Sequence, residues 1–243
     1  MSYPERIVPD ETERGIVAIH RKRYEFALPF CIGKEVLDAG CGVGYGSVLL
    51  AERAQRVVGV DVDEEAIAYA RARYGAPNVE FLRLDLLEPD LPSASFDVVC
   101  AFETLEHLTE PEAFLAQTAR LLRPDGVLLL STPRAERTTL TPENPFHSVE
   151  FAPADLERLL RARFGEVEIY GQRRLQTARH RLAQRLDVLG LRKRLPVLRP
   201  ASRLLGTAPT AELTSADLVI STEGIEHASE LVAVCRAPRS VDL

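Results

Sequence analysis

Val36-Leu37-Asp38-Ala39-Gly40-Cys41-Gly42-Val43-Gly44-Tyr45-Gly46-Ser47 decides the fold of this 243-residue chain. A short apolar run ends in an acid, glycines follow at alternate positions, and a helix-forming stretch begins at Ser47. Glycines there let the backbone turn sharply and approach a ligand with no Cβ in the way. The spacing narrows the ligand. A dinucleotide fingerprint wants G-x-G-x-x-G, but counting from Gly40 its last place falls on Tyr45, and from Gly42 on Ser47. The loop is instead G-x-G-x-G with an acid two residues before it.

Outward from this loop, apolar strands and amphipathic helices alternate. Strands are expected at Glu35–Asp38, Val57–Val60, Val79–Leu84, Phe96–Phe102, Gly126–Ser131 and Val167–Tyr170. Helices are expected at Ser47–Ala54, Glu64–Tyr74, Pro111–Leu122 and Pro153–Phe164, with an amphipathic helix over Glu11–Phe30 before them. Asp217–Ser221 and Glu230–Arg236 read as closing strands. This rhythm predicts an α/β domain whose largely parallel sheet has helices on both faces. The chain reads as one domain over 1–243, with residues 1–34 as an N-terminal lid and 171–216 as a basic insertion before the last strands. Residues 171–205 hold ten Arg or Lys against one acid, Asp187. Leu182, Leu186, Leu189 and Leu191 interleave with those charges, a pattern that suits a solvated helix, an anionic lipid surface or a phosphate-bearing substrate.

Acids recur at strand ends. Asp61 closes the second strand 21 residues past Gly40, where its carboxylate can accept both hydroxyls of a ribose. Asp85, after the third strand, suits the exocyclic amine of adenine, with the Leu86 amide placed for a ring nitrogen. After the fourth strand comes Phe102-Glu103-Thr104-Leu105-Glu106-His107. On a helix Glu103, Glu106 and His107 would share one face. With His147, from Asn144-Pro145-Phe146-His147-Ser148-Val149-Glu150-Phe151, they make a candidate site for Mg²⁺, Mn²⁺ or Zn²⁺. The competing reading is metal-free, with Glu106 supporting a histidine base at His107 or His147. His20, His180 and His227 carry no such company.

The formal net charge of −6 argues against nucleic acid as a partner. The four cysteines are far apart in sequence, no apolar run approaches a membrane span, and the segment MSYPERIVPDETERG has no signal-peptide core. Those features predict a reduced, cytoplasmic protein, with peripheral contact to the inner membrane face if the basic insertion is functional.

From Glu5 to about Arg236 the sequence resembles bacterial class I S-adenosylmethionine-dependent methyltransferases, many of them tied to cell-surface sugars and glycoconjugates. VLDAGCGVGYGS from Val36, VVGVDVDEEAI from Val57, FDVVCAFETLEHL from Phe96, LLRPDGVLLLSTP from Leu121 and NPFHSVEF from Asn144 carry the resemblance. It implies a Rossmann-like seven-stranded sheet in the order 3-2-1-4-5-7-6, the last strand antiparallel. It implies S-adenosylmethionine as cofactor, held by Asp38, Gly40, Cys41 and Gly42 with Asp61, Val62, Asp85, Leu86 and Phe102. The Gly40 carbonyl and the backbone near Phe102 would hold the methionine amine, and Val62 would line the adenine pocket. In the same pattern the N-terminal helix closes over the cofactor, which makes Arg23 and Tyr24 candidates for its carboxylate. The E-x-x-E-H run and the later His are similar to those of small-RNA 2′-O-methyltransferases. The run alone is similar to that of ubiquinone-pathway O-methyltransferases. The function this implies is O-methylation of a sugar or glycoconjugate hydroxyl, on a small-molecule, lipid-linked or nucleotide-linked glycan. A quinone precursor, an RNA 3′-end ribose and a non-catalytic nucleoside-binding module are the alternatives.

Overall fold

The structure is a computed structural model that describes residues 6–175 and 210–239. The first helix, α1 (Arg14–Ala27), runs into a short 3₁₀ turn at Leu28–Phe30. The glycine loop joins β1 (Glu35–Ala39) to α2 (Tyr45–Ala51). Then follow β2 (Arg56–Asp61), α3 (Glu64–Arg73), β3 (Val79–Arg83) and β4 (Phe96–Phe102). The second half holds α4 (Pro111–Leu121), β5 (Leu122–Pro133), α5 (Pro153–Arg161), β6 (Phe164–Arg174), β7 (Leu218–Ser221) and β8 (Glu230–Pro238).

One sheet of eight strands runs β3-β2-β1-β4-β5-β8-β6-β7. The first five in that order are parallel; β8 lies antiparallel between β5 and β6, and β7 is antiparallel at the edge of β6. Seven strands therefore stand in the expected order, and Leu218–Ser221 adds an eighth, at the edge. Strands β5 and β6 are longer than their apolar cores suggested, because pairing with β4 and β8 extends β5, and pairing with β8 and β7 extends β6, into polar sequence. Most of the Arg-rich stretch, 176–209 with His180, lies outside the described residues.

Alternate residues of the central strands go to opposite faces, and both faces are buried. Leu37, Val99, Ala101, Leu128 and Leu130 meet Phe114, Leu115, Leu156 and Leu160 of α4 and α5. Val36, Val57, Val98, Cys100 and Leu129 meet Tyr24, Ala27 and Leu50 of α1 and α2. Cys31, Cys41, Cys100 and Cys235 are all buried free thiols. Among the described residues no helix is long and apolar enough to cross a membrane.

The parallel order reverses between β1 and β4, since β2 and β3 extend one way from β1 and β4 and β5 the other. In open α/β sheets such a switch point opens a crevice at the carboxyl ends of the strands. The glycine loop, Asp61, Glu103 and the antiparallel start of β8 all come to that edge.

Candidate active site

The glycine loop is built from left-handed backbone: φ is 79° at Gly40, 53° at Gly42 and 87° at Gly44. At Gly40 the space is also taken, because a Cβ there would sit 2.5 Å from the Thr104 hydroxyl. The Gly40 and Cys41 amides bond the Val60 carbonyl, which folds the loop over the end of β2. Cys41 is buried beneath it. Asp61 then locks the loop, its Oδ2 accepting from the Gly42 amide at 2.9 Å and its Oδ1 from the Asp63 amide at 2.9 Å. A carboxylate so held is oriented by its backbone partners and keeps lone pairs for two further donors.

Asp38 turns inward. It is almost fully buried, accepting from Ser47 Oγ at 2.6 Å and Tyr24 Oη at 3.4 Å. Burial lifts its pKa to about 7, against the pull of those two hydroxyls. Asp38 thus ties β1 to α2 and α1 from below the loop. Tyr24, a candidate for a ligand carboxylate, has its hydroxyl on Asp38 instead, and its ring stands edge-on to Phe102 at 5.1 Å. Asp85 accepts the Leu87 amide at 2.9 Å, which closes a turn after β3 beside the half-buried Leu86. Val62 is 62% exposed at the lip of the crevice.

Arg23 is the unusual member. Its side chain is wholly buried, and none of its three guanidinium nitrogens has a hydrogen-bond partner among the described residues. Glu103 lies 3.7 Å and Glu230 3.9 Å away, inside ion-pair range but beyond hydrogen bonding. A buried cation without hydrogen bonds costs several times an ordinary lost bond. A ligand carboxylate would satisfy it bidentately.

The Glu103–His107 segment is not the expected helix. Glu103 adopts φ 52°, a left-handed backbone that costs a non-glycine residue about 1–3 kcal/mol, and Leu105–His107 is a 3₁₀ turn. The cause is tertiary. The Glu103 amide bonds the Ser131 carbonyl at 3.1 Å, prolonging the β4–β5 ladder, while Thr104 Oγ1 reaches back to the Ala39 carbonyl at 3.1 Å. Held on both sides, the chain reverses before it can wind. The Glu103 carboxylate consequently takes Ser131 Oγ at 2.7 Å and faces Arg23. Of the four expected ligands, Glu106, His107 and His147 come together, with one potential ligand atom from each within 4.8 Å of the others, and Glu103 stands outside that trio.

The two imidazoles meet edge to face, centroids 5.0 Å apart. His107 Nδ1 lies 3.0 Å from the Phe146 carbonyl, which can only accept, so in the neutral ring the proton sits on Nδ1 and the lone pair on Nε2. Asn144 Oδ1 accepts the Phe146 amide at 3.1 Å, which aims Asn144 Nδ2 at His147 Nε2, 3.0 Å away. His147 Nδ1 faces Glu150 Oε1 at 2.8 Å. The backbone carbonyl of Glu106 accepts the Ser148 amide at 2.7 Å, which binds the two histidine segments together. Burial, and then the neighbouring Glu103 charge, push the Glu106 carboxyl well above the usual carboxylate range. Asn144 and Glu150, three residues either side of His147, had a legible spacing; Glu230 and Gln172 had no motif around them.

Residues 37–130 match the family described as a methyltransferase domain. Over that stretch the chain is similar to the class I S-adenosylmethionine-dependent methyltransferases. A probable S-adenosylmethionine-dependent methyltransferase of Mycolicibacterium smegmatis is 43% identical over 170 residues, 68% of this chain and 65% of that protein. A ubiquinone biosynthesis O-methyltransferase of Idiomarina loihiensis is 39% identical over 104 residues, 41% of this chain and 42% of that one. The chain spans less than two thirds of the length of these relatives. Among solved structures, the Burkholderia thailandensis 1,6-didemethyltoxoflavin-N1-methyltransferase, with S-adenosylhomocysteine bound, superposes with a TM-score of 0.58. It covers 91% of this chain and 79% of its own at 21% identity, a likeness of fold. The methyltransferase sheet thus extends well beyond the matched stretch, through β8 and β6.

Proposed function

We propose that this protein transfers a methyl group from S-adenosylmethionine to a hydroxyl oxygen of a sugar or glycoconjugate. The observation that carries the reading is Asp61, pinned by two backbone amides at the end of β2 beside a loop of left-handed glycines. That arrangement suits the ribose of a nucleoside, and the hydrogen-bond-free guanidinium of Arg23 suits the carboxylate of its amino-acid end.

When bound, S-adenosylmethionine supplies a methyl group on a sulfonium, and the acceptor oxygen forms the new C–O bond as the C–S bond breaks and sulfur keeps the pair. The chain's own work is alignment and proton removal. His107 Nε2, with the tautomer set by the Phe146 carbonyl, takes the hydroxyl proton. His147, held between Glu150 and Asn144, bounds the acceptor on the other side. The Glu103 carboxylate at that edge suits an acceptor with neighbouring hydroxyls.

Glu106, His107 and His147 also fit a divalent ion such as Mg²⁺, Mn²⁺ or Zn²⁺, which would lower the pKa of the acceptor hydroxyl. Both histidines hold Nδ1 on an acceptor, as metal-binding histidines do. The contact from Asn144 to His147 Nε2 favours the alternative, in which the histidine acts without metal. A quinone-precursor hydroxyl is the second acceptor reading, favoured by the likeness to the Idiomarina enzyme.

Titration of S-adenosylmethionine, S-adenosylhomocysteine and NAD into the protein tests the first step. The two sulfur nucleosides should bind, NAD should not, and Asp61→Ala should lose at least tenfold in affinity, about 1.4 kcal/mol. NAD binding, or an indifferent Asp61→Ala, would remove the assignment. Mass spectrometry of glycans and quinone precursors incubated with the protein, with and without chelator, separates the acceptors and the two roles of the histidines.

A further inference from the structure

Arg23 is held between two carboxylates that come from opposite ends of the chain's functional edge. Glu103 follows β4, and Glu230 is the first residue of β8. The strand between them is β5, so the guanidinium reaches across its end from one neighbour to the other. Each carboxylate is fixed by a serine: Ser131 Oγ donates to Glu103 at 2.7 Å, and Ser229 Oγ to Glu230 at 2.8 Å. Thus neither acid closes on the guanidinium. Both stay at ion-pair distance and leave its five N–H groups without acceptors among the described residues. Gln172, opposite Glu230 in the β6–β8 register, donates from Nε2 to the Ile19 carbonyl of α1 at 2.9 Å. The helix carrying Arg23 is therefore anchored on the same stretch of sheet as Glu230.

A buried cation that must later accept a ligand carboxylate faces two demands. It needs enough negative charge nearby to offset the cost of burying its charge, and it needs its hydrogen-bonding edge left open. Full hydrogen bonding by a protein carboxylate would meet the first demand and defeat the second. Glu230, held back by Ser229, meets both. We propose that Glu230 is a positioning residue that acts through Arg23, holding the guanidinium in place and open for the carboxylate of an amino-acid-bearing nucleoside. This rests on the cofactor reading given under Proposed function. It predicts a ligand-selective effect: Glu230 matters for a thionucleoside with an amino-acid end and not for one without.

S-adenosylhomocysteine and 5′-methylthioadenosine provide the two cases, since they share the adenosine and thioether and only the first carries the amino-acid end. Calorimetric titration of both into the wild-type chain, Glu230→Gln, Arg23→Gln and the double variant reads the effect. Glu230→Gln should weaken S-adenosylhomocysteine about tenfold while methylthioadenosine holds within about twofold. The double variant should be no weaker for S-adenosylhomocysteine than Arg23→Gln alone, because Glu230 acts only through Arg23. Glu230→Asp, which keeps the charge, should recover most of the affinity, and retained methylthioadenosine binding certifies that each variant is folded. Equal loss for both ligands would make Glu230 a purely structural residue and overturn the proposal. Unchanged or tighter S-adenosylhomocysteine binding in Glu230→Gln would overturn it as well, the latter by showing that Glu230 competes for Arg23. If neither ligand bound the wild-type chain, the cofactor reading itself would fall along with the proposal.

Discussion

Asp38 shows how a single buried carboxyl can brace the site from within the protein. Its oxygens are held by Ser47 and Tyr24 in a buried place where the charge is poorly solvated. Burial raises its pKa from near 3.8 to about 7, so folding favours the protonated acid. The stability this contributes is complete below about pH 4 and drains away as pH rises through 7. Asp38→Asn stays neutral throughout. The difference in unfolding free energy between wild type and Asp38→Asn should therefore shift in favour of the variant from pH 4 to pH 8, by a few kcal/mol at most. Denaturant titrations at several pH values measure it; a flat difference would mean that Asp38 ionises as readily in the fold as out of it. At this scale the sequence was partly legible. Asp61 and Asp38 stand out because an acid at the end of an apolar run needs a reason to be there. Glu230 does not stand out, because its neighbours Arg23 and Gln172 come to it only through antiparallel pairing and the docking of α1.

Among the elements, α1 and α2 are fitted to each other through one glycine. A Cβ on Gly46 would lie 2.0 Å from the Tyr24 ring, so the aromatic ring of α1 rests directly on the backbone of α2. Gly46→Ala should push Tyr24 off Asp38 and lift α1, at a cost of about 1–3 kcal/mol. Thermal melts give that cost, and hydrogen exchange should show the loss of protection concentrated in residues 14–27. Uniform protection loss across the sheet would place the strain elsewhere. The same scale shows where reading a sequence by period breaks down. Glu103, Glu106 and His107 have helical spacing, yet the Ser131 carbonyl takes the Glu103 amide and the Ala39 carbonyl takes the Thr104 hydroxyl, and the backbone turns left-handed at Glu103. Such captures come from strands distant in sequence, so no local pattern announces them. The strands themselves were legible because two buried faces require nearly unbroken apolar runs, as in Val98–Phe102 and Val127–Leu130.

The whole molecule places its last strand in the interior of the sheet. β8 separates β5 from β6, and among the described residues it supplies the strand pairing that joins β6 and β7 to the parallel half. The parallel order could be anticipated from the alternation of strands and helices, whereas the insertion of β8 between two earlier strands rested on family likeness alone. A consequence follows for synthesis. A chain emerging from the ribosome carries the glycine loop, Asp61 and Arg23 early, but until Glu230–Pro238 is made β6 has no place to dock and Arg23 lacks one of its two counter-charges. Loops between such distant partners close late and slowly. Arrested nascent chains ending at residue 229 should therefore fail to retain S-adenosylhomocysteine, while chains extended past Pro238 and clear of the exit tunnel should retain it. Ligand capture in this protein would then act as a proofreading signal for a chain synthesised through β8.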